Sequence, residues 1–536
     1  MKRGATLLIV AICLLASVLL AVFYERTTPL RHMDSVFLFE SSLSVLESGH
    51  PTSSTWESYV PEVYATFTLP ADEVCSLELR KEPAGGYDIL DNHAYMAIYP
   101  ISVLTAVAGP EGPFAILNAL AHVLLVVIPC VFLVRQGAGV VAAAAFALLV
   151  AVYPVWSYSA TGDYYLDRLY MPFALLSLFT MHLMIMNQER LRDARWLGGW
   201  VAATVAAALF TERAALMMIG VTGFFLIFFP AVRRSAKALT TMLTLGLVLA
   251  AYLLWYFTAV QSPDTSISLL GSINTVILAE RLQSPEMIAF ISVNLLFMGL
   301  LVVLAGFRYT LLVVCAMLPN ILITVGGAEL NGWATHYHAM YLPFMVFAAA
   351  VGFLRLTRGE RPRVLRAAVV ASVEAYALLL GGSMDPYTGG RDSQFSASLR
   401  NGIVYRVWKH YTDQADWYTN LAHVARSLDA LVPQGARVSA VEGAMPALYK
   451  GRSISMYPMN MDTADYLVVP GIASEGRVVS LSGAISYLGP EVAKSLNECL
   501  LERATAHGFK LVHELGAGDL LVLRRDERAS SMSPES

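Results

Sequence analysis

Charge is scarce in this chain. Of its 536 residues, 15% are Asp, Glu, Lys or Arg, against roughly 25% in soluble domains. The shortfall excludes an ordinary soluble enzyme. It also excludes a coiled coil and a disordered protein, since both need many more charges. Cysteine is scarce too, with five residues and no CxxC pair, which removes zinc ribbons and disulfide scaffolds. The net charge of -4 offers no bulk attraction for nucleic acid. No internal repeat is visible. Apolar residues make up 56% of the chain, and they are gathered into long uncharged runs. Each run is near the roughly 20 residues that a helix needs to cross a bilayer. This is the composition of an α-helical polytopic membrane protein.

The first run, 5–23, follows Lys2 and Arg3. It is long for a signal peptide, and no clear A-x-A site precedes Tyr24, so it reads as a retained span. Further runs lie near 113–134, 138–156, 169–187, 196–211, 213–230, 239–259, 287–305, 308–326, 336–356 and 364–382, giving about eleven transmembrane helices. The stretch 196–230 is too long for one helix. A charged pair at mid-membrane would be costly, so Thr211-Glu212-Arg213 is expected at the tip of a helical hairpin.

Basic residues set the orientation. With the N-terminus in the cytoplasm, the inner loops hold Arg135, the cluster Arg190, Arg192 and Arg195, the cluster Arg233, Arg234 and Lys237, then Arg308 and the run from Arg355 to Arg366. The short outer loops hold only Arg168, Arg213 and Arg281. The chain then divides into a first transmembrane helix (1–23), an extracytoplasmic loop with an interfacial helix near 94–109 (24–112), a helical bundle (113–382), a small extracytoplasmic α/β domain (383–526) and a disordered tail (527–536). Strand-like runs in the α/β domain are 437–441, 453–457, 466–469, 510–513 and 519–523, with helical patterns at 416–431 and 489–507. Cys75 and Cys499 both fall outside. In an oxidising periplasm a bond between them would join the first outer segment to the terminal domain.

Polar residues collect at the predicted outer ends of the spans. They are Asp34 and Glu40; Asp91, Asn92 and His93; Asp163, Asp167 and Arg168; Glu212 and Arg213; Arg281; and His336, Tyr337 and His338. This is headgroup depth, where an enzyme acting on a lipid-linked substrate needs its groups. A cation, usually Arg, meets the lipid phosphate. A carboxylate or His serves as general base toward a hydroxyl nucleophile. The plainer reading of each is also available. Boundary Arg and Tyr act as anchors, and Asp167-Arg168 and Glu212-Arg213 can be local pairs worth little. His336 and His338 face apart on a helix and do not easily share a metal. Glu374 lies near the middle of the last span, where an ionisable group is functional by default; a buried hydrogen bond is its structural alternative. Asn118, Asn294 and Asn320 are milder cases of the same kind.

The order of one span, a large outer loop with an early acidic residue, an interfacial helix, many spans and an outer terminal domain resembles the GT-C superfamily of polytopic glycosyltransferases. More narrowly, it resembles a prokaryotic family of predicted membrane proteins placed near that superfamily. The resemblance is carried by Met33-Asp34-Ser35-Val36-Phe37, Asp91-Asn92-His93, Thr211-Glu212-Arg213, Tyr337-His338-Ala339 through Pro343, and, in the terminal domain, Val438-Ser439-Ala440, Tyr457-Pro458 and Ala464-Asp465-Tyr466-Leu467-Val468. It implies a sugar donor carried on polyprenyl phosphate and a glycan, lipid or protein acceptor. Asp34 matches the early acidic residue that acts as base or binds metal or acceptor, and Asp163 or Asp91 the acidic group that assists. If a divalent cation (Mg or Mn) takes part, Asp34 and Asp163 are the residues to hold it. Arg168, Arg213 and Arg281 are the cations available for the phosphate, with His93, Glu212, His336, Tyr337 and His338 lining the substrate. No Lys-Pro-Pro motif precedes the interfacial helix, where some relatives have one; His93 stands near that place. The resulting expectation is an inverting glycosyltransferase of the cell envelope, set in the inner membrane. A transporter or flippase for a lipid-linked or polar substrate, or a non-catalytic envelope assembly protein, are the alternatives.

Overall fold

The computed structural model describes residues 4, 11–12, 15–22, 33–57, 75, 87–161, 164–261, 279, 282–283, 285–322, 336–358, 424–471, 490–515 and 520–526. The chain forms two compact units. One, here the helical unit, contains Met1–Tyr24, Asn92–Ala97 and Phe114–Trp408; the other, the mixed unit, contains Glu25–Asp91, Ile98–Pro113 and Lys409–Ser536.

Among the described residues, three helices are long and apolar enough to cross a membrane: Glu111–Arg135, Leu166–Met186 and Ala236–Val260. The eleven spans expected from hydropathy are not reached by this criterion, and the backbone shows why. Ala194–Ala208, Glu212–Phe228, Phe307–Leu322 and Leu342–Arg358 are continuous helices of 15 to 17 residues. At 1.5 Å per residue they are about 22–26 Å long, short of a ~30 Å hydrocarbon core. Other runs are interrupted. The helix Val140–Val152 stops at Tyr153, before Pro154, where a proline disfavours helix in the residue before it. The run 287–305 passes through a π-helical turn at Leu295–Gly299. The run 364–382, with Glu374, lies outside the described residues.

The hairpin at Thr211 forms as expected. Ala194–Ala208 and Glu212–Phe228 pack against each other, joined by a short turn. The helix Leu342–Arg358 is buried on every side from Leu342 to Leu354, as an all-apolar helix must be. It packs on Leu300–Leu304 and on Met171–Met186. A Cβ at Gly352 would lie 1.8 Å from the carbonyl oxygen of Leu301, so only glycine permits that approach. Two of the polar residues inside the spans satisfy themselves locally. Asn118 Nδ2 donates to the Phe114 carbonyl at 2.9 Å and Asn294 Nδ2 to that of Phe290 at 2.8 Å. Asn320 donates to the Tyr337 carbonyl at 3.3 Å.

The mixed unit holds a five-stranded sheet of β1 (Arg437–Ala440), β2 (Ser453–Met456), β3 (Tyr466–Pro470), β4 (Phe509–Leu515) and β5 (Leu520–Arg525), in the order β2-β1-β3-β5-β4. β1 pairs parallel with β2 and β3, while β3–β5 and β5–β4 are antiparallel. β3 is buried along its whole length, which suits its Val- and Leu-rich central position. The first outer segment is built into this unit. Its helix Met33–Ser48 packs against Ile98–Ala108 and against Met445–Leu448. Phe39 meets Tyr449 at 5.6 Å between ring centroids. Glu111 accepts from Tyr449 Oη at 2.7 Å and pairs with Lys450 at 2.6 Å. Cys75 and Cys499, 424 residues apart, form a disulfide, and Arg503 donates to the Cys75 carbonyl at 3.0 Å.

Candidate functional site

Four stretches of the helical unit that are remote in sequence come together around Glu212. Thr211 is extended, and its hydroxyl accepts the Ala214 N–H at 3.0 Å, capping the helix that follows. Glu212 is therefore held in the first turn, where the helix dipole favours a negative charge. One of its carboxylate oxygens lies 3.1 Å from His93 Nδ1, and the other accepts the Ala94 N–H at 3.0 Å. A third tie, from the Ala97 N–H to the Leu209 carbonyl at 3.1 Å, fixes segment 92–97 against the hairpin. Arg213 Nε is 3.7 Å from Glu212, and its guanidinium lies over the Tyr337 ring at 5.2 Å. The turn His336–Met340 that carries Tyr337 packs on the short helix Leu166–Leu169 and on the Glu212 helix. Leu166–Leu169 supplies Asp167 and Arg168, both fully buried. Asp167 interacts with Arg213, His93, Glu212 and the Thr211 hydroxyl, and Arg168 lies over the Tyr165 ring at 4.9 Å.

One guanidinium group, two carboxylates and an imidazole thus share one mostly buried cluster, and the buried Arg168 follows Asp167 in the chain. In such surroundings charge–charge interactions are screened little. A planar guanidinium matches a phosphate with two parallel hydrogen bonds. A carboxylate only accepts, so its bond to His93 places a ring proton on Nδ1.

Over 100% of both chains, with 14% identity, the fold superposes on that of ArnT from Cupriavidus metallidurans in its crystal structure bound to undecaprenyl phosphate, at a TM-score of 0.51. The chain has a GT-C-type fold. The apo state of the same ArnT gives 0.48 at 14% identity over 99% of each chain. Arabinofuranosyltransferase AftD from Mycobacteria gives 0.45 at 15% identity, over 96% of this chain and 39% of that one. The fold assignment rests on the first comparison. No family model matches the chain, and no curated protein matches it by sequence, so the narrower family resemblance gains no support.

Within the GT-C fold the residues singled out from sequence fall into four sets. His93, Glu212, Arg213 and Tyr337 are brought together, while Arg168 is buried against the Tyr165 ring. His338 lies one residue beyond Tyr337 but is fully buried, bonded through Nδ1 to Tyr341 Oη at 2.9 Å and packed on Phe290. Asp163, Arg281 and the His336 side chain lie outside the described residues. Asp34 and Asp91 belong to the mixed unit. Asp34 stands half-buried in the first turn of Met33–Ser48. Burial, then the neighbouring charge of Asp88, pushes the Asp91 carboxyl above its usual range. One turn and a half beyond Asp34, Glu40 accepts from Ser53 Oγ at 2.6 Å, Thr55 Oγ1 at 2.9 Å, the Thr55 N–H at 3.0 Å and Ser54 Oγ at 3.2 Å. Its pKa is nonetheless raised, because burial outweighs the four bonds.

Sequence reasoning undervalued Asp167. Beside Arg168 it looks like half of a local surface pair, yet the structure buries both. The available signal was position: a carboxylate directly ahead of an apolar span, next to Tyr164 and Tyr165. Among the described residues no three His, Cys, Asp or Glu side chains form a group that could hold a metal ion.

Proposed function

We propose that the protein is a membrane glycosyltransferase that moves a sugar from a polyprenyl-phosphate carrier to an acceptor hydroxyl at the outer face of the cell membrane, with inversion. The supporting observation is the meeting of Arg213 with Asp167, Glu212 and His93 in a chain of GT-C-type fold. ArnT, which shares that fold, was solved with undecaprenyl phosphate bound.

In this reading Arg213 receives the donor phosphate. Neutralised in this way, the phosphate leaves C1 with the bonding pair and needs no general acid. Glu212 keeps Arg213 and His93 in place. Asp34 takes the proton from the acceptor hydroxyl as its oxygen bonds to C1 on the face opposite the departing phosphate. The new glycosidic bond replaces the C1–O–phosphate bond, and the carrier is released as polyprenyl phosphate. The Cys75–Cys499 disulfide suits an oxidising periplasm.

The test is sugar transfer by purified protein in nanodiscs, offered a panel of polyprenyl-phosphate sugars. Wild type is expected to transfer one of them. Asp34→Ala and Asp34→Asn are expected to lose about 10²–10⁴ in rate, the range for removing a general base, while keeping the wild-type unfolding temperature. Full activity in both variants would remove Asp34 from the mechanism. Neither transfer nor donor binding across the panel would sink the enzyme reading.

A further inference from the structure

The helical unit has a second feature, at the end of the helices opposite in sequence terms to the Glu212 turn. Ala194–Ala208 and Ala236–Trp255 run side by side, and between them lies an open groove of about 630 Å³. Its walls include Leu197, Gly198, Val201, Lys237, Thr240 and Thr241. The first residues of both helices, Ala194 and Ala236, also line it. The mouth therefore receives the positive ends of two helix dipoles and the Lys237 ammonium together. The groove exists because one wall has no side chain: a Cβ on Gly198 would meet nothing within 4 Å.

Three further observations bear on what fills it. The basic segments that lead into the two helices are fastened together, since Ser235 Oγ donates to the Leu191 carbonyl at 2.9 Å. These segments carry Arg192, Arg195 and Arg234, all exposed, against the exposed Glu189 and the capping Asp193, so with Lys237 the rim of the mouth is cationic on balance. Finally, the apolar stretch of the Ala236 helix is only 22% buried within the protein; most of that helix faces outward, as a lipid-facing helix does.

We infer that this groove is a binding site for one anionic phospholipid. Its phosphate lies at Lys237 and the two helix starts, and an acyl chain runs along Leu197, Gly198, Val201 and Thr241. Charge complementarity selects the anion at the mouth, and the apolar floor beyond it selects an amphiphile over a free ion. By the distribution of basic residues this is the cytoplasmic end, where anionic headgroups attract Lys and Arg. The inference stands apart from sugar transfer and is read without it.

The experiment is native mass spectrometry of the full chain, extracted in detergent and offered dioleoylphosphatidylglycerol or dioleoylphosphatidylcholine. Wild type is expected to retain the anionic lipid severalfold better. Lys237→Gln is expected to weaken retention of the anionic lipid about fivefold, the effect of one surface cation on an anionic lipid, and so to erase most of the preference. Gly198→Trp is expected to block retention of both lipids. Leu247→Trp, on the same helix at a position 72% exposed and away from the groove, is expected to behave as wild type. If Gly198→Trp lowers the yield of folded protein, Gly198→Leu repeats the block with a smaller group. Equal retention of the two lipids by wild type, or retention untouched by the Gly198 variants, overturns the site. So does full displacement of the anionic lipid by millimolar inorganic phosphate, because the apolar floor would then contribute nothing.

Discussion

The two units each bury a glutamate, and they treat it in opposite ways. Glu212 is met by a histidine, a backbone N–H and a guanidinium drawn from segments more than a hundred residues apart. Glu40 is met by three hydroxyls and one N–H, all from Ser53, Ser54 and Thr55. Neutral donors hold Glu40 without offsetting its charge, burial raises its pKa, and it serves to anchor a turn. Around Glu212 and Asp167 the partners carry charge of their own, with Arg213 the guanidinium suited to a phosphate. The difference teaches that burial alone does not mark a functional acid; what matters is whether its partners carry charge of their own.

Substitutions can break this comparison. The largest effect is expected from Arg213→Ala. It removes a guanidinium from the Glu212 cluster, and transfer should fall about 10²–10³-fold, the scale for losing one donor to developing charge. Thermal unfolding of the helical unit should change little. If instead the protein unfolds and activity per folded molecule is retained, Arg213 is an anchor and the contrast with Glu40 disappears. Glu40→Ala should do the reverse. It strands the donors at Ser53–Thr55 and should cost about 3 kcal/mol of stability, measurable by denaturant unfolding, while donor binding by folded protein stays intact.

A smaller effect sharpens the contrast through pH. Burial pushes Asp465 up, but its hydrogen bonds and charge pairing with Arg437 outweigh that and hold it below its ordinary value. Its folded value is depressed, so its contribution is present above the unfolded value near 3.8 and is lost as pH falls through the folded value. Both side chains are more than a third exposed, at 60% and 41%, so solvent screening leaves ~0.5 kcal/mol. Asp465→Asn should remove that slope from the acid unfolding curve of the mixed unit. Glu40, raised by burial, has the opposite sign: its contribution is present at low pH and declines as pH rises through its folded value.

Much of the fold could be read in the chain. All five strands of the terminal sheet lie within two residues of the runs rich in Val, Leu and Ile that marked them, because strand burial writes itself into local composition. The hairpin at Thr211 was legible because a charged pair cannot sit at mid-membrane. Helix length was less legible. Hydropathy averages over a window and does not register a π-turn at Leu295–Gly299 or a stop at Tyr153. Of the candidate site, the individual residues His93, Glu212, Arg213 and Tyr337, which the structure groups together, could be singled out from their boundary positions. Their mutual arrangement could not be, since no periodicity links residue 93 to residue 212. Asp167 was discounted because adjacency to Arg168 looks the same in sequence whether the pair is solvated or buried.

The mixed unit also dictates an order of events. Met33–Ser48 and Cys75 emerge from the ribosome well before Tyr449 and Cys499, which they contact and which are made some 400 residues later. At roughly 5–20 residues per second that interval is tens of seconds, filled by insertion of the whole helical unit. For that time the apolar face of the Met33 helix has none of its terminal-domain partners and Cys75 is a free thiol. The unit can close only after synthesis is almost finished, which makes the young chain most vulnerable to chaperones, proteases and wrong thiol partners at its oldest end.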